Sequence, residues 1–333
     1  MERRSLCFGL AALAMAAISL ASPAGGLPAS IPPTDLYAAD SPFNTPIPDG
    51  AALHPNSKAM VRGMVDAASG GRFVLAVKRY SIPVYFAGAN TQRVRVKFTA
   101  GWAPKDAMLD VPVPKGTKPD PGSDGSVAII DRSTGCEYDF WRFEKTSTGY
   151  RAAWGNALPT SSSGVFPKGL SARGSGMSLL AGVIWPDELE AQVIDHALLF
   201  IYPYTAKAGA VPPATETDGM TRDPWAIPEG ARVRLDPTLN LDRLGLTPYE
   251  RTIAEALQTY GMYLGDDGGG LALQAINPLS SSGDPYSGLL PDRRYVSLNG
   301  IPVNRFQVLD FPEPTPASEM DIRIVPNACA EFR

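Results

Sequence analysis

Histidine is scarce in this sequence: 333 residues hold only His54 and His196, so imidazole acid–base chemistry has two candidates at most. Cysteine is nearly as rare, with three residues, and Cys7 lies inside an apolar run rather than just after it, which leaves lipid anchoring without support. No second long apolar run follows, so nothing beyond the N-terminus reads as a membrane span. Strong charge of one sign is also missing; a net charge of −4 argues against nucleic acid as the main partner. No G-x-S-x-G occurs, Gly174-Ser175-Gly176 being only a flexible tripeptide, and Gly268-Gly269-Gly270 matches neither a dinucleotide fingerprint nor a phosphate loop. Low-complexity linkers and internal repeats are absent, which favours one domain.

The chain opens with Arg3 and Arg4, an apolar stretch from Leu6 to Leu20, and the small residues Ala21 to Ala24. That order is the charge, core and cleavage pattern of a secretory signal peptide, and the stretch is shorter than the roughly 20 residues that span a bilayer. The expected organisation is a signal peptide over 1–24, an extended proline-rich arm over 25–55, and one β-sandwich domain over 56–333. The mature protein is expected to be secreted, extracellular or periplasmic, and monomeric. Cys136 and Cys329 alone survive cleavage; an oxidising compartment predicts one disulfide between them, two buried free thiols being the alternative.

Glycine and proline number 32 each and are spread along the chain, as turns between short strands require. Strands are predicted at Phe73–Val77, Gln92–Phe98, Val193–Tyr202, Ala231–Leu235, Phe306–Leu309 and Ile322–Val325. One hairpin is expected with Glu137–Phe143 and Tyr150–Trp154 flanking Thr146-Ser147-Thr148-Gly149, and a second with Tyr260–Gly265 and Leu271–Ile276 flanking Asp266 to Gly270. The residues 161–178 show neither period and read as a long loop, a class of segment that is often functional. Helices are expected after Asn56, as one turn at Pro186, and most clearly over Pro248–Thr259, where Thr247 and Glu250 form a capping box and Pro248 suits the first helical position. The fold class is all-β: a jelly-roll-like sandwich with two or three peripheral helices.

His196 falls in the predicted strand Val193–Tyr202, where alternation sets it on the face opposite Asp195; it is either a satisfied core residue or a general acid or base. Tyr263 lies between Gly261 and Gly265, small residues that would let a ligand approach, and shares its predicted face with Asp267. Arg232 and Arg234, like Arg93, Arg95 and Lys97, form a row of cations that could meet carboxylates of a polyanionic sugar chain. Asp139 and Asp218 are a candidate carboxylate pair. Asp266 and Asp267 in their glycine loop could hold Ca2+, but lack the ligand alternation of an EF-hand, so no cofactor or metal is expected. Trp141 and Trp154, with Tyr263, could make a stacking platform.

The segments Ile194-Asp195-His196-Ala197-Leu198, Asp218-Gly219, Pro228 to Leu235 and Ala256 to Tyr263, with Ser41-Pro42-Phe43-Asn44, resemble an uncharacterised family of secreted bacterial proteins. The resemblance implies export and brings no activity with it. From the residues alone, the first expectation is a carbohydrate-active enzyme acting on an extracellular polysaccharide. As a polysaccharide lyase it would use His196 and Tyr263 as base and acid, with Arg232 or Arg234 neutralising a uronate carboxylate. The alternatives are a glycoside hydrolase using Asp139 and Asp218, and a noncatalytic carbohydrate-binding protein using Trp141 and Trp154, with Asp267 as a further substrate contact.

Overall fold

A computed structural model describes residues 36–330 other than 168, together with Phe332. The signal peptide expected over 1–24 and the first part of the arm lie outside the described residues. In chain order the strands are β1 (Phe73–Ala76), β2 (Val84–Ala87), β3 (Arg93–Phe98), β4 (Met108–Pro112), β5 (Val127–Asp131), β6 (Cys136–Trp141), β7 (Glu144–Thr146), β8 (Gly149–Ala152) and β9 (Trp154–Pro159). They continue as β10 (Leu198–Tyr202), β11 (Arg232–Leu235), β12 (Met262–Asp267), β13 (Leu271–Gln274), β14 (Tyr295–Ser297) and β15 (Phe306–Val308). The described residues form three α-helices: α1 (Ser57–Ala67), α2 (Pro186–Ala191) and α3 (Pro248–Thr259). The class is therefore all-β with peripheral helices, as the strand-rich, turn-rich sequence predicts.

Three sheets are stacked. The outermost, ordered β4-β3-β8-β7, packs face to face on a central sheet ordered β2-β5-β6-β9. Val96, Leu109 and Val111 from the first meet Ile129, Tyr138 and Phe140 from the second. β5 is buried along its whole length, and β6 and β9 along all but one residue. A strand covered on both faces must be nearly continuous in apolar residues. The exceptions, Asp131 on β5, Glu137 and Asp139 on β6 and Asn156 on β9, therefore need partners.

The far side of the central sheet meets a layer of irregular chain, residues 36–43 and 163–185, and behind it lies the third sheet, ordered β14-β1-β13-β10-β12-β11-β15. The remaining face of that sheet is covered by α1 and α3, through Met60, Met64, Ile253 and Leu257. α3 begins as its sequence dictates: the Thr247 hydroxyl accepts from the Glu250 N–H, and Glu250 reaches back to the Thr247 N–H. Pairing is mixed, with β1/β13, β10/β12, β2/β5 and β3/β8 parallel.

Four local expectations are corrected. β12 and β13 do not form a hairpin, because β10 lies between them; the connecting loop crosses the end of β10, where a Cβ on Gly268 would fall 2.4 Å from the Ile201 side chain. The strand expected from Val193 starts at Leu198, leaving His196 in irregular chain. Residues 322–325 form no strand. The expected hairpin turn at Thr146 to Gly149 is present, but its first arm is β7 rather than residues 137–143: β7 pairs with β8, and β6 pairs with β9.

Cys136 and Cys329 are disulfide-bonded, with Cα atoms 5.5 Å apart. No helix of the described residues is long and apolar enough to cross a membrane.

Candidate functional site

His196, Tyr263 and Arg232 do converge, but on the arm rather than on an open groove. The Ala197 N–H donates to the Phe43 carbonyl (2.7 Å), and the Phe43 ring packs edge-on against Tyr263 with centroids 5.4 Å apart. Arg232 lies over the Tyr263 ring at 5.0 Å and donates to the carbonyls of Tyr260 (2.9 Å) and Thr45 (2.6 Å). The Tyr263 hydroxyl donates to the Pro42 carbonyl (3.3 Å). Burying an aromatic ring such as Phe43 contributes about 1.5–3 kcal/mol, and Leu36, Tyr37 and Phe43 of the arm are part of the core.

His196 is 7 % exposed. Its Nε2 lies 2.8 Å from Glu188 Oε1 and its Nδ1 lies 2.9 Å from the Ala197 carbonyl. The Ala197 carbonyl can only accept, so Nδ1 donates to it; the Glu188 contact lacks hydrogen-bond geometry and is an ion pair when the ring is protonated. Burial pushes its pKa down, but Glu188, the Ala197 carbonyl and Asp195 outweigh burial and raise it. The void beside it is only about 10 Å³, at the lower limit for one water. The expectation of a His196–Tyr263 acid–base pair is thus corrected: neither can reach a substrate proton. Arg234, the alternative neutraliser, donates to Gln307 Oε1 (2.9 Å) across β11 and β15.

Asp139 is also sealed. It sits with Glu137 on the face of β6 turned towards the irregular layer, and accepts from the Leu179 N–H (2.8 Å). Glu137 accepts from the Tyr37 hydroxyl (2.9 Å), the Ser178 hydroxyl and the Leu180 N–H. Burial, then the Glu137 charge beside it, pushes the Asp139 carboxyl well up. Asp139 anchors Leu179 of the irregular layer to the central sheet. It is no partner for Asp218 in a cleft, which corrects the hydrolase pair.

Asp218 belongs to another group. Carboxylate oxygens of Asp218, Glu229 and Asp266 all lie within 4.8 Å of one another. Asp266 reaches this place through a bulge in β12: Leu264 pairs with Phe200, but Ile201 pairs with Asp266, so Gly265 is the extra residue. A bulge turns consecutive residues to one side, and Asp266 emerges towards Arg173 of the long loop, 3.7 Å away. Burial and the Asp218 charge, opposed by Arg173, push Asp266 up to about 7. Burial pushes nearby Glu216 up to about 7 as well. Asp267 is exposed at the strand end.

The aromatic candidates separate. Trp154 is buried, donates from Nε1 to the Leu170 carbonyl (2.6 Å) and stacks on Phe332, so it cannot serve as a platform. Trp141, its cross-strand neighbour, lines an open cleft of about 400 Å³ together with Trp102, Arg142, Glu144 and Arg151. Trp102 is 56 % exposed and leans on Trp154 at 5.1 Å. Arg142 has φ +54° and lies over the Trp141 ring at 4.4 Å. Left-handed backbone on a residue other than glycine is strained and clusters at functional sites. Arg151 pairs with Glu144 (2.8 Å).

Sequence reasoning missed Trp102, Arg142, Glu144, Arg151 and Glu229. A signal existed for Trp102, a tryptophan after glycine in a turn; Glu229-Gly230 reads as an ordinary turn. No family model, curated protein or solved structure matches this chain.

Proposed function

We propose that the chain is a secreted, noncatalytic carbohydrate-binding protein that takes extracellular polysaccharide at the cleft between Trp102 and Trp141. One observation carries the reading: an indole 56 % exposed at the mouth of an open cleft of about 400 Å³, beside two guanidinium groups. Leaving a large apolar side chain in water forgoes about 1.5–3 kcal/mol of burial, and a ligand with an apolar face recovers it. A pyranose ring has such a face, of C–H groups, and a rim of hydroxyls that Arg142, Arg151 and Glu144 can bond. Because Glu144 is engaged by Arg151, Arg142 leaves the cleft with a net positive charge, which favours uronic-acid-containing glycans. Export is supported by the Arg3 to Ala24 pattern and by the disulfide.

Titration of tryptophan fluorescence with uronic-acid oligosaccharides tests the reading, with neutral oligosaccharides as comparison. Trp102→Ala is expected to lose about tenfold or more in affinity, and Arg142→Ala to weaken acidic glycans selectively. Unchanged binding by Trp102→Ala would overturn the site. Release of reducing ends, or of an unsaturated product absorbing in the ultraviolet, would replace binding by catalysis.

A further inference from the structure

We propose that Asp218, Glu229 and Asp266 form a binding site for a hard divalent cation of the size of calcium. Three separate segments supply the ligands: the irregular chain at Thr217 to Gly219, the turn at Glu229-Gly230, and the end of β12. Calcium bonds oxygen at about 2.3–2.6 Å, so two of its ligand oxygens can stand up to about 5 Å apart. Carboxylate oxygens that all lie within 4.8 Å of one another meet that condition.

A second observation points to a ligand independently of the clustering. Glu229 is fully buried, its Oε2 accepts from the Asp218 N–H (3.1 Å), and its Oε1 has no hydrogen-bond donor among the described residues. A buried carboxyl oxygen without a partner carries its desolvation cost uncompensated. Arg173 does not remedy this: it faces Asp266 at 3.7 Å, and its two terminal nitrogens are committed to Gln274 Oε1 (3.0 Å) and the Leu179 carbonyl (3.1 Å). Among the described residues one guanidinium faces three carboxyl groups, and a divalent cation would supply the charge that lets all three ionise.

The surrounding backbone keeps the place tight. Gly230 has φ +89°, and a Cβ there would fall 1.7 Å from the Val211 carbonyl oxygen; one on Gly174 would fall 2.6 Å from the Asp218 carboxylate. Oxygen ligands alone suit calcium or magnesium rather than softer metals. Ligands drawn from three separate segments suit the adaptable calcium shell better than the strict octahedron of magnesium. The ion would pin the segment after β10, the approach to β11 and the end of β12 together.

The test uses the mature full chain stripped with EDTA. Calorimetric titration with calcium chloride is expected to show one saturable site, and the melting temperature is expected to rise with calcium by mass action. Asp218→Asn, at an accessible position, should lose affinity by about tenfold or more and lose the calcium-dependent rise. Glu229→Gln keeps the side chain's size and an acceptor for the Asp218 N–H, so it should melt no lower than the stripped wild type and still fail to respond to calcium. Trp102→Ala should take up calcium normally, which separates this site from the glycan reading. No saturable uptake by the wild type at millimolar calcium, or uptake by both carboxylate variants equal to wild type, would overturn the proposal.

Discussion

His196 illustrates how surroundings decide a side chain's role. Its raised pKa lies above the ordinary value near 6.5. The stabilisation from its pairing with Glu188 is therefore complete below about pH 6.5 and fades as pH climbs through the raised folded value. Denaturant midpoints measured from roughly pH 6 to 10 should fall on the alkaline side for the wild type. Glu188→Gln leaves a buried imidazole without its counter-charge and should cost about 3–5 kcal/mol at the acid end, with that pH slope flattened. Equal slopes in the two proteins would show that the pair does not titrate. His196, Tyr263 and Asp139 were identifiable from sequence as unusual polar residues among apolar neighbours. Their enclosure was not, because Phe43, Glu188 and Leu179 come from other segments.

At the scale of elements, α3 was readable to the residue: the capping box, the proline at its start and the 3.6-residue period are all local. Thr247→Ala removes the hydroxyl that accepts from Glu250 N–H and should lower stability by about 1 kcal/mol, read as a shift in denaturant midpoint at constant slope. An unchanged midpoint would mean that packing of Ile253 and Leu257 alone sets the helix end. β12 shows the opposite case. Strict alternation assigns Asp266 to the face of Met262 and Leu264, and nearness in sequence assigns β13 as partner. The bulge at Gly265 and the insertion of β10 reverse both inferences. Neither is encoded within the segment itself; each follows from how β10 fits between its neighbours.

Across the whole molecule, the bond between Cys136 and Cys329 spans 193 residues and ties the last segment to the outer sandwich. There Phe332 stacks on Trp154, which in turn supports Trp102 at the cleft. Replacing both cysteines by serine should cost about 2–5 kcal/mol and weaken glycan binding as the support of Trp102 loosens. Full stability without the bond would mean that the terminal segment packs well enough by itself. The sequence alone determined the strand-rich class, the turns, the boundaries of α3 and the one cysteine pairing available after the N-terminal run. Those features depend on local hydrogen bonding, side-chain period and counting. Only the tertiary structure decided which tryptophan meets solvent, which polar groups are sealed, and that residues 218, 229 and 266 share one place. Exposure and charge balance are set by desolvation and contact among groups far apart along the chain, which no local pattern contains.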